Sequence, residues 1–540
     1  MLGGPAATYR ALMHPLMHRH HDVGCDSTEA ALQAIAAAAG ATDPAALERR
    51  DTHMSVVLLS RDRAYKVKRA HRFAFADHHR RAARRWACLE ELRVNEELAP
   101  GIYRAVHAVV PAGDGFRLAP VDDPAAVEYV VEMERFDEAT SLRGRLAQRP
   151  DDRSPIRRTA ATIADFHARA RPIRRPGRAA MAIADEKRRL AAEDVELTGV
   201  LPGPHDLRRL HAIDRRLRTF LRDAGEELAA RGRAGLVREG HGDLRAEHVL
   251  VGDDAVRIVD RIEFRPDLRE VDVADDLAFL VMDLTALGHP EAARELVTAY
   301  RDRHGDPGSD ALLAYYAARR ALVRAKVALL RDGAAGGGDA AREEARQLLD
   351  LAERFAWRTH GPLALVVSGP SGVGKSVLAA ALAERSGFAV RSSDVVRKRA
   401  AGLAPEERGG SALYAPGSGP RVYAELGRQA AAALTRDGGV VIDATCLRRA
   451  DRDALMLELE GWQRSVFHVA CTAPAAVLEE RLRRRALDPT RISDATPAVG
   501  RAQASIAEPL DEVPADRLLA LRCDRPPAAL VAAVAAGLDA

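Results

Sequence analysis

The sequence predicts a multidomain chain of mixed α/β and α+β class, with a sheet-plus-helix domain first and a domain of alternating strands and helices last. Three observations carry this expectation. The chain has 540 residues, too many for one core at about 150 residues per domain. Between residues 54 and 133 the runs SVVLL, AYKVK, IYRAVHAVV and VEYVVEM read as strands, with an Arg-rich helical segment from about Asp77 to Leu98 among them. After Pro362 the short apolar runs LALVVS, FAVRS, GVVIDAT, SVFHVAC and LLALRC alternate with helical segments, the pattern of a parallel βαβ sheet.

Taken in order, residues 1–50 form an amino-terminal extension whose early histidines, among them His14, His18, His20 and His21, lack the acidic or Cys partners of a metal tract. An Ala-rich helix follows from Ser27 or Thr28. SVVLL and AYKVK form a hairpin about Arg61-Asp62-Arg63, and Pro100-Gly101 closes the Arg-rich helix. A Pro/Gly/Asp loop separates the next two strands. Residues 142–235 read mostly as helix, with breaks near 172–177 and 202–204. Two short strands lie within HGDLRAEHVLVGDDAVRIVDRIEF, helices resume to about Arg331, and DGAAGGGD marks a linker. The expected domains are therefore 51–331, a linker with a connecting helix over 332–361, and 362–540.

Composition narrows the function. Lys plus Arg number 81 against 78 Asp plus Glu, a formal charge of +3, so neither nucleic acid nor an anionic membrane is the default partner. Aromatic residues at 4% give few platforms for stacking bases. No apolar run is long enough to span a bilayer, and the amino terminus lacks the uninterrupted apolar segment of a secretory signal. Cys25, Cys88, Cys446, Cys471 and Cys523 are spread without metal-site spacing. A cytoplasmic setting is expected. The basic residues are almost all Arg. The exceptions are Lys66, Lys68, Lys187, Lys326, Lys375 and Lys398, positions where a compact ammonium is worth locating.

LALVVS runs into GPSGVGKS and then into the helical SVLAAALAERSG. This is the G-x-x-x-x-G-K-[ST] phosphate loop in its strand-to-helix setting. Gly369, Ser371, Gly372, Val373 and Gly374 offer backbone to phosphate oxygens, Lys375 reaches the β and γ phosphates, and Ser376 holds Mg²⁺. Asp443, ending the apolar run GVVID, is placed to organise the same ion. The segment 362–540 resembles small-molecule P-loop kinases of the gluconate kinase, shikimate kinase and zeta-toxin type, through this loop, SSDVVRKR and EERLRRRALDP. The resemblance implies Asp394 as the acceptor-side carboxylate, Arg397 as a substrate or phosphate contact, and Arg481 or Arg485 as lid arginines.

HGDLRAEH and IVDRIEF resemble the catalytic loop and metal-binding segment of aminoglycoside phosphotransferases, which share the protein kinase fold. That resemblance implies Asp243 against the acceptor hydroxyl, Asp260 on Mg²⁺, and a strand lysine, Lys66 or Lys68, on phosphate with Glu91 as its ion-pair partner. Lys66 is the favoured one of the two. Asp276, in VDVADDLAFL, is expected to brace the catalytic loop. Two departures stand out. His248 occupies the place of the family's metal-binding Asn, and imidazole suits hard Mg²⁺ poorly, so it either weakens a metal site or serves as a hydrogen-bonding scaffold. The hairpin LLSRDRAYK has no glycine, leaving phosphate contacts there to side chains such as Arg61 or Arg63. The two modules together resemble bacterial proteins that join an aminoglycoside phosphotransferase family domain to a P-loop (AAA-type) ATP-binding domain. The expected function is an ATP- and Mg²⁺-dependent transfer of the γ-phosphoryl group to a small-molecule hydroxyl, with two nucleotide sites. The alternative keeps the P-loop half as the enzyme and makes the kinase-like half a degenerate, ligand-binding regulator.

Overall fold

The computed structural model describes residues 25–52, 54–72, 77–173, 178–201, 203–304, 307–335, 338–404, 407, 418–486, 503 and 505–539. The early histidines and parts of the predicted helix breaks lie outside them. The chain forms two compact units: Met1–Ala179 with Ala230–Pro307, and Ala180–Ala229 with Gly308–Ala540. The kinase-like α+β arrangement followed by a parallel βαβ domain is the fold class the sequence predicts.

The first unit opens with six antiparallel strands, β1 (Glu48–Asp51), β2 (Ser55–Leu59), β3 (Arg63–Lys68), β4 (Tyr103–Ala112), β5 (Gly115–Pro120) and β6 (Glu128–Glu134). Their order is β1-β2-β3-β6-β4-β5. Both faces of the sheet are covered. The helix Cys25–Ala38 packs Ala31 and Ile35 against Val56, Val67 and Val130, whereas Cys88 of the helix Arg81–Asn95 packs against Ala64, Tyr103 and Val131 on the other face. Two strands carry no sequence signal. β1 reads ERRD, is wholly exposed and therefore has no apolar alternation. β5 lies inside the segment read as a loop and is joined to β4 by a two-residue turn at Gly113-Asp114, where Gly113 takes φ 57°.

The rest of this unit is helical around two small antiparallel pairs: β7 (Val237–Glu239) with β10 (Glu270–Asp272), and β8 (Val249–Val251) with β9 (Val256–Ile258). The loop His241–His248 thus hangs between β7 and β8, and Val259–Glu263 leaves the end of β9. Short strands capped by loops on one side are what bring these two segments together.

The second unit holds the parallel sheet β11 (Leu363–Ser368), β12 (Ala389–Ser392), β13 (Gly439–Asp443), β14 (Val466–Thr472) and β15 (Leu518–Arg522), ordered β12-β13-β11-β14-β15. β11 is central and fully buried, as its continuous apolar run requires. Leu378 and Leu382 of the helix Lys375–Ser386 and Val534 of the helix Pro527–Leu538 cover one face. Leu426 and Leu434 of Ser418–Asp437 and Leu455 of Arg449–Glu458 cover the other. The helix Asp310–Ala335 extends into the glycine tract as far as Ala335 and packs against Asp339–Arg358. A single glycine among good helix formers costs only about 1 kcal/mol, so the tract does not break the helix where it begins. Buried ion pairs tie the helices of this unit: Arg319 meets Glu186 at 2.8 Å and Glu193 at 2.7 Å. Glu353 takes Arg209 at 3.1 Å and Arg385 of the phosphate-loop helix at 2.9 Å.

Gly439 opens β13 against the Phe388 ring, and a Cβ there would fall 2.2 Å from Cε1. Gly439→Ala is expected to destabilise this unit by about 1–3 kcal/mol through overpacking. Urea denaturation followed by circular dichroism checks this, with an unchanged native spectrum.

Candidate active sites

In the first unit, alternation on β3 puts Lys66 and Lys68 on one face, both toward the helix Arg81–Asn95. Lys66 Nζ lies 2.7 Å from Glu91 Oε1 and 2.8 Å from Asp260 Oδ1. Lys68 Nζ lies 2.6 Å from Glu91 Oε2 and pairs also with Glu263. Burial pushes the fully enclosed Glu91 carboxyl up, but Lys66 and Lys68 together outweigh it and hold it below the usual range. Lys66 chiefly, against burial, holds Asp260 far below its ordinary value. Burial pulls Lys66 down, but Asp260 and Glu91 outweigh it and hold its ammonium well above its usual range. Asp260 adopts φ 64°, rare for a residue with a side chain, and its amide donates to Tyr103 Oη at 3.0 Å.

The loop His241–His248 is braced from below. Asp276 Oδ2 and Oδ1 accept the amides of His241 and Gly242 at 2.6 and 2.8 Å, and His167 Nε2 lies 3.2 Å from Oδ2. Gly242 at φ 89° could not carry a Cβ, which would fall 2.9 Å from the Leu268 carbonyl oxygen. His241 Nε2 donates to Val259 O at 3.0 Å while Nδ1 accepts the Asp243 amide at 3.2 Å, which fixes its tautomer. Asp243 follows, held by Arg245 Nε at 3.2 Å from each oxygen. His248 Nδ1 donates to the Asp243 carbonyl at 2.8 Å, Arg245 Nη2 donates to Nε2 at 2.9 Å, and Nε2 stands 3.7 Å from Asp260 Oδ2. Asp243, His248, Asp260, Lys66 and Glu91 are therefore gathered at one place. Arg63 is engaged by Glu132 at 3.1 Å, whereas Arg61 is exposed.

In the second unit the phosphate loop leaves the central strand and enters the helix Lys375–Ser386. Gly369, Gly372 and Gly374 take φ 134°, 85° and 112°, and a Cβ on Gly369 would meet the Cys471 carbonyl oxygen at 2.5 Å. Lys375 Nζ donates to Pro370 O at 3.1 Å. Asp443 ends β13 opposite Val367 on one side and Ser392 on the other, so it shares the carboxyl edge of the sheet with the phosphate loop and with Asp394. The loop after Asp443 is pinned to that edge: Gly369 N donates to Thr445 O at 3.1 Å, and Cys446 N donates to Tyr423 Oη at 2.9 Å. Asp394 is paired with Arg397 at 3.2 Å. Arg481 donates to the Val373 and Cys523 carbonyls at 2.7 and 2.9 Å, fastening the back of the phosphate loop. The side chain of Arg485 lies outside the described residues. Ser371 N donates to Gln503 Oε1 at 2.8 Å.

Among the described residues no group of three or more His, Cys, Asp or Glu is arranged to hold a metal. A magnesium ion here would take one or two carboxylates with phosphate and water oxygens, its ordinary manner of binding. Asp443 with the exposed hydroxyl of Ser376 fits that description, as does Asp260, whose carboxylate is 45% exposed. His248 fits it less well, because both ring nitrogens are already used inside the loop.

Sequence reasoning missed Glu263, Tyr103, Arg245, Tyr423 and Gln503. Glu263 left a trace, an acid in the otherwise apolar end of IVDRIEF. The others gain their partners only through folding.

A two-unit protein with a P-loop domain at its carboxy-terminal end is what the fold and these sites define, and residues 365–510 match the family model of the AAA domain. The chain is 30% identical over 481 residues to the uncharacterized protein Rv2004c of Mycobacterium tuberculosis, covering 86% of this chain and 91% of that one. The same figures hold for Mb2027c of Mycobacterium bovis. The chain belongs to the family of these mycobacterial proteins. Among solved structures, it is similar to a gluconokinase from Sinorhizobium meliloti 1021, with 26% identity, 33% of this chain, 91% of that chain and a TM-score of 0.24. It is also similar to a choline/ethanolamine kinase family protein from Mesorhizobium loti, with 19% identity, 61% of this chain, 94% of that chain and a TM-score of 0.36.

Burial pushes His241 down to about 4, so its native form is neutral. Its depressed value means that the unfolded chain takes up the proton first as pH falls below about 6.5. Stability of the first unit is therefore expected to be flat above pH 7 and to fall between about pH 6.5 and 4, by roughly 3 kcal/mol from this residue. Urea midpoints across that range check it, and His241→Gln should flatten the slope.

Proposed function

We propose that the protein is an ATP- and Mg²⁺-dependent phosphotransferase that moves the γ-phosphoryl group to hydroxyls of small molecules at two nucleotide sites. The observation that carries this reading is the meeting of Lys66, Glu91 and Asp260 within 2.8 Å beside the loop that presents Asp243. A lysine poised between two carboxylates can exchange one of them for phosphate oxygens. Asp243 orients the acceptor hydroxyl and takes its proton as the oxygen–phosphorus bond forms and ADP leaves. In the other unit Lys375 and the loop amides hold the phosphates, Asp394 receives the acceptor proton, and Arg397 steadies acceptor or phosphate charge. Ser376 with Asp443, and Asp260 in the first unit, would hold Mg²⁺, which when bound offsets charge on the phosphates. Arg481 acts here by shaping the loop. Within this reading 51–331 and 362–540 are the two phosphotransferase modules, joined by 332–361 and preceded by the extension 1–50. Among the described residues no helix is long and apolar enough to cross a membrane.

One observation favours a second reading. Arg245 and the Asp243 carbonyl use both nitrogens of His248, so the first unit holds fewer free metal donors than the family pattern implies. In that reading it binds a ligand and regulates the P-loop unit.

ADP release with Mg²⁺-ATP, measured against sugars, sugar acids, amino alcohols and aminoglycosides, tests both. Asp243→Ala is expected to lower turnover of one set of acceptors by about 10²–10⁴-fold, and Lys375→Ala that of a different set. Loss of all turnover in Lys375→Ala with none in Asp243→Ala would establish the regulatory reading instead.

A further inference from the structure

In the second unit the turn after Asp443 is held more firmly than a strand-to-helix connection requires. Cys446 adopts φ 48°, uncommon for a residue with a side chain, and both of its peptide groups are tied down. Its amide donates to Tyr423 Oη at 2.9 Å, and its carbonyl accepts Arg452 Nη1 at 3.0 Å. Tyr423 and Arg452 are 1% and 2% exposed. The residue thus fixed in place is the one before, Thr445, which is half-buried. The Thr445 carbonyl accepts the amide of Gly369, the first residue of the phosphate loop, at 3.1 Å. Lys375 Nζ rests one residue further along that loop, on Pro370 O at 3.1 Å. Thr445 therefore stands at the end of the loop where the Lys375 ammonium lies.

The hydroxyl of Thr445 has a fixed sense. Burial holds the Tyr423 phenol well above its usual range, so it keeps its proton, and a buried O–H needs an acceptor. Tyr423 Oη already receives the Cys446 amide, and among the described residues its one other partner is Thr445 Oγ1 at 3.0 Å. The phenol therefore donates to Thr445, and the threonine's own proton is turned away from Tyr423 and left for a ligand. A donor beside the Lys375 ammonium suits an anionic oxygen. We propose that Thr445 contacts the transferred group in the second unit, its hydroxyl donating to an oxygen of the γ-phosphoryl group, with Tyr423 as the positioning residue that orients it. This inference rests on the phosphotransferase reading of the second unit.

Calorimetry on the full chain carrying Asp260→Asn, which removes from the first unit the carboxylate assigned to Mg²⁺, tests it with two ligands. One is Mg²⁺-ADP; the other is the β,γ-imido analogue of Mg²⁺-ATP, which keeps the γ-phosphoryl group. Adding Thr445→Val should weaken the analogue on the order of tenfold or more and leave ADP unchanged, because the lost hydrogen bond to a charged oxygen exists only where that group is present. Thr445→Ser, which keeps the hydroxyl, should retain most of the affinity. Tyr423→Phe should shift the analogue in the same direction by a smaller factor, and it carries the test if Thr445→Val does not fold. Equal weakening of both nucleotides, the mark of a merely structural role, or no change in either, overturns the proposal and leaves the phosphotransferase reading standing. If instead the Asp260→Asn chain binds neither nucleotide, or binds both as well after Lys375→Ala, that reading of the second unit falls, and this inference with it.

Discussion

The first unit depends on one buried carboxylate. Glu91 is fully enclosed yet ionised, a state that the interior tolerates only where cations are supplied at contact distance. Two lysines from β3 supply them, so β3, the helix Arg81–Asn95 and the segment Asp260–Glu263 are joined through a single group. The left-handed conformation of Asp260 is accommodated by the same arrangement, with Tyr103 receiving its amide and Lys66 its carboxylate. Asp276 repeats the device under the loop His241–His248, where two amides and a histidine surround another enclosed carboxylate. Asp276 holds backbone amides directly, whereas Glu91 gathers side chains, and in both places the buried charge does what no apolar residue could.

At its phosphate loop the second unit reaches a comparable result through backbone geometry, not through a shared buried carboxylate. Its parallel sheet ends in a row of loops, and backbone hydrogen bonds fasten the phosphate loop to the loop after Asp443. Close approach replaces ion pairing as the constraint. The loop passes so near β14 that only glycine fits at 369, and Arg481 closes it from behind through two carbonyls. The shape of this site is set by backbone contacts, whereas that of the first unit is set by ion pairs.

This difference decides what could be read from the sequence. GPSGVGKS was legible because strand, loop and helix are adjacent in the chain and the glycines encode the backbone directly. HGD, Asp260 and the β3 lysines were legible through the resemblance to aminoglycoside phosphotransferases, and the sheet followed from alternation in β2, β3, β4 and β6. β1 was not, because an edge strand made of charged residues lacks any apolar period. The choice between Lys66 and Lys68 was beyond the sequence too, since both share a face and only the depth of Glu263 separates them. Tyr423 looks like an ordinary core aromatic until its hydroxyl is found on Thr445 and Cys446.

His248 shows how a departure from a family pattern can conserve architecture while changing chemistry. An Asn at this place can hydrogen-bond within the loop and still present a carbonyl oxygen to a cation. The imidazole keeps the first task, donating from Nδ1 to the Asp243 carbonyl, but commits Nε2 to Arg245. Arg245 in turn binds the Asp243 carboxylate, so a fixed guanidinium sits among the groups that would otherwise face a second cation. In the proposed phosphotransferase reading, the positive charge beside the phosphates would then fall to Lys66 and to an ion held by Asp260.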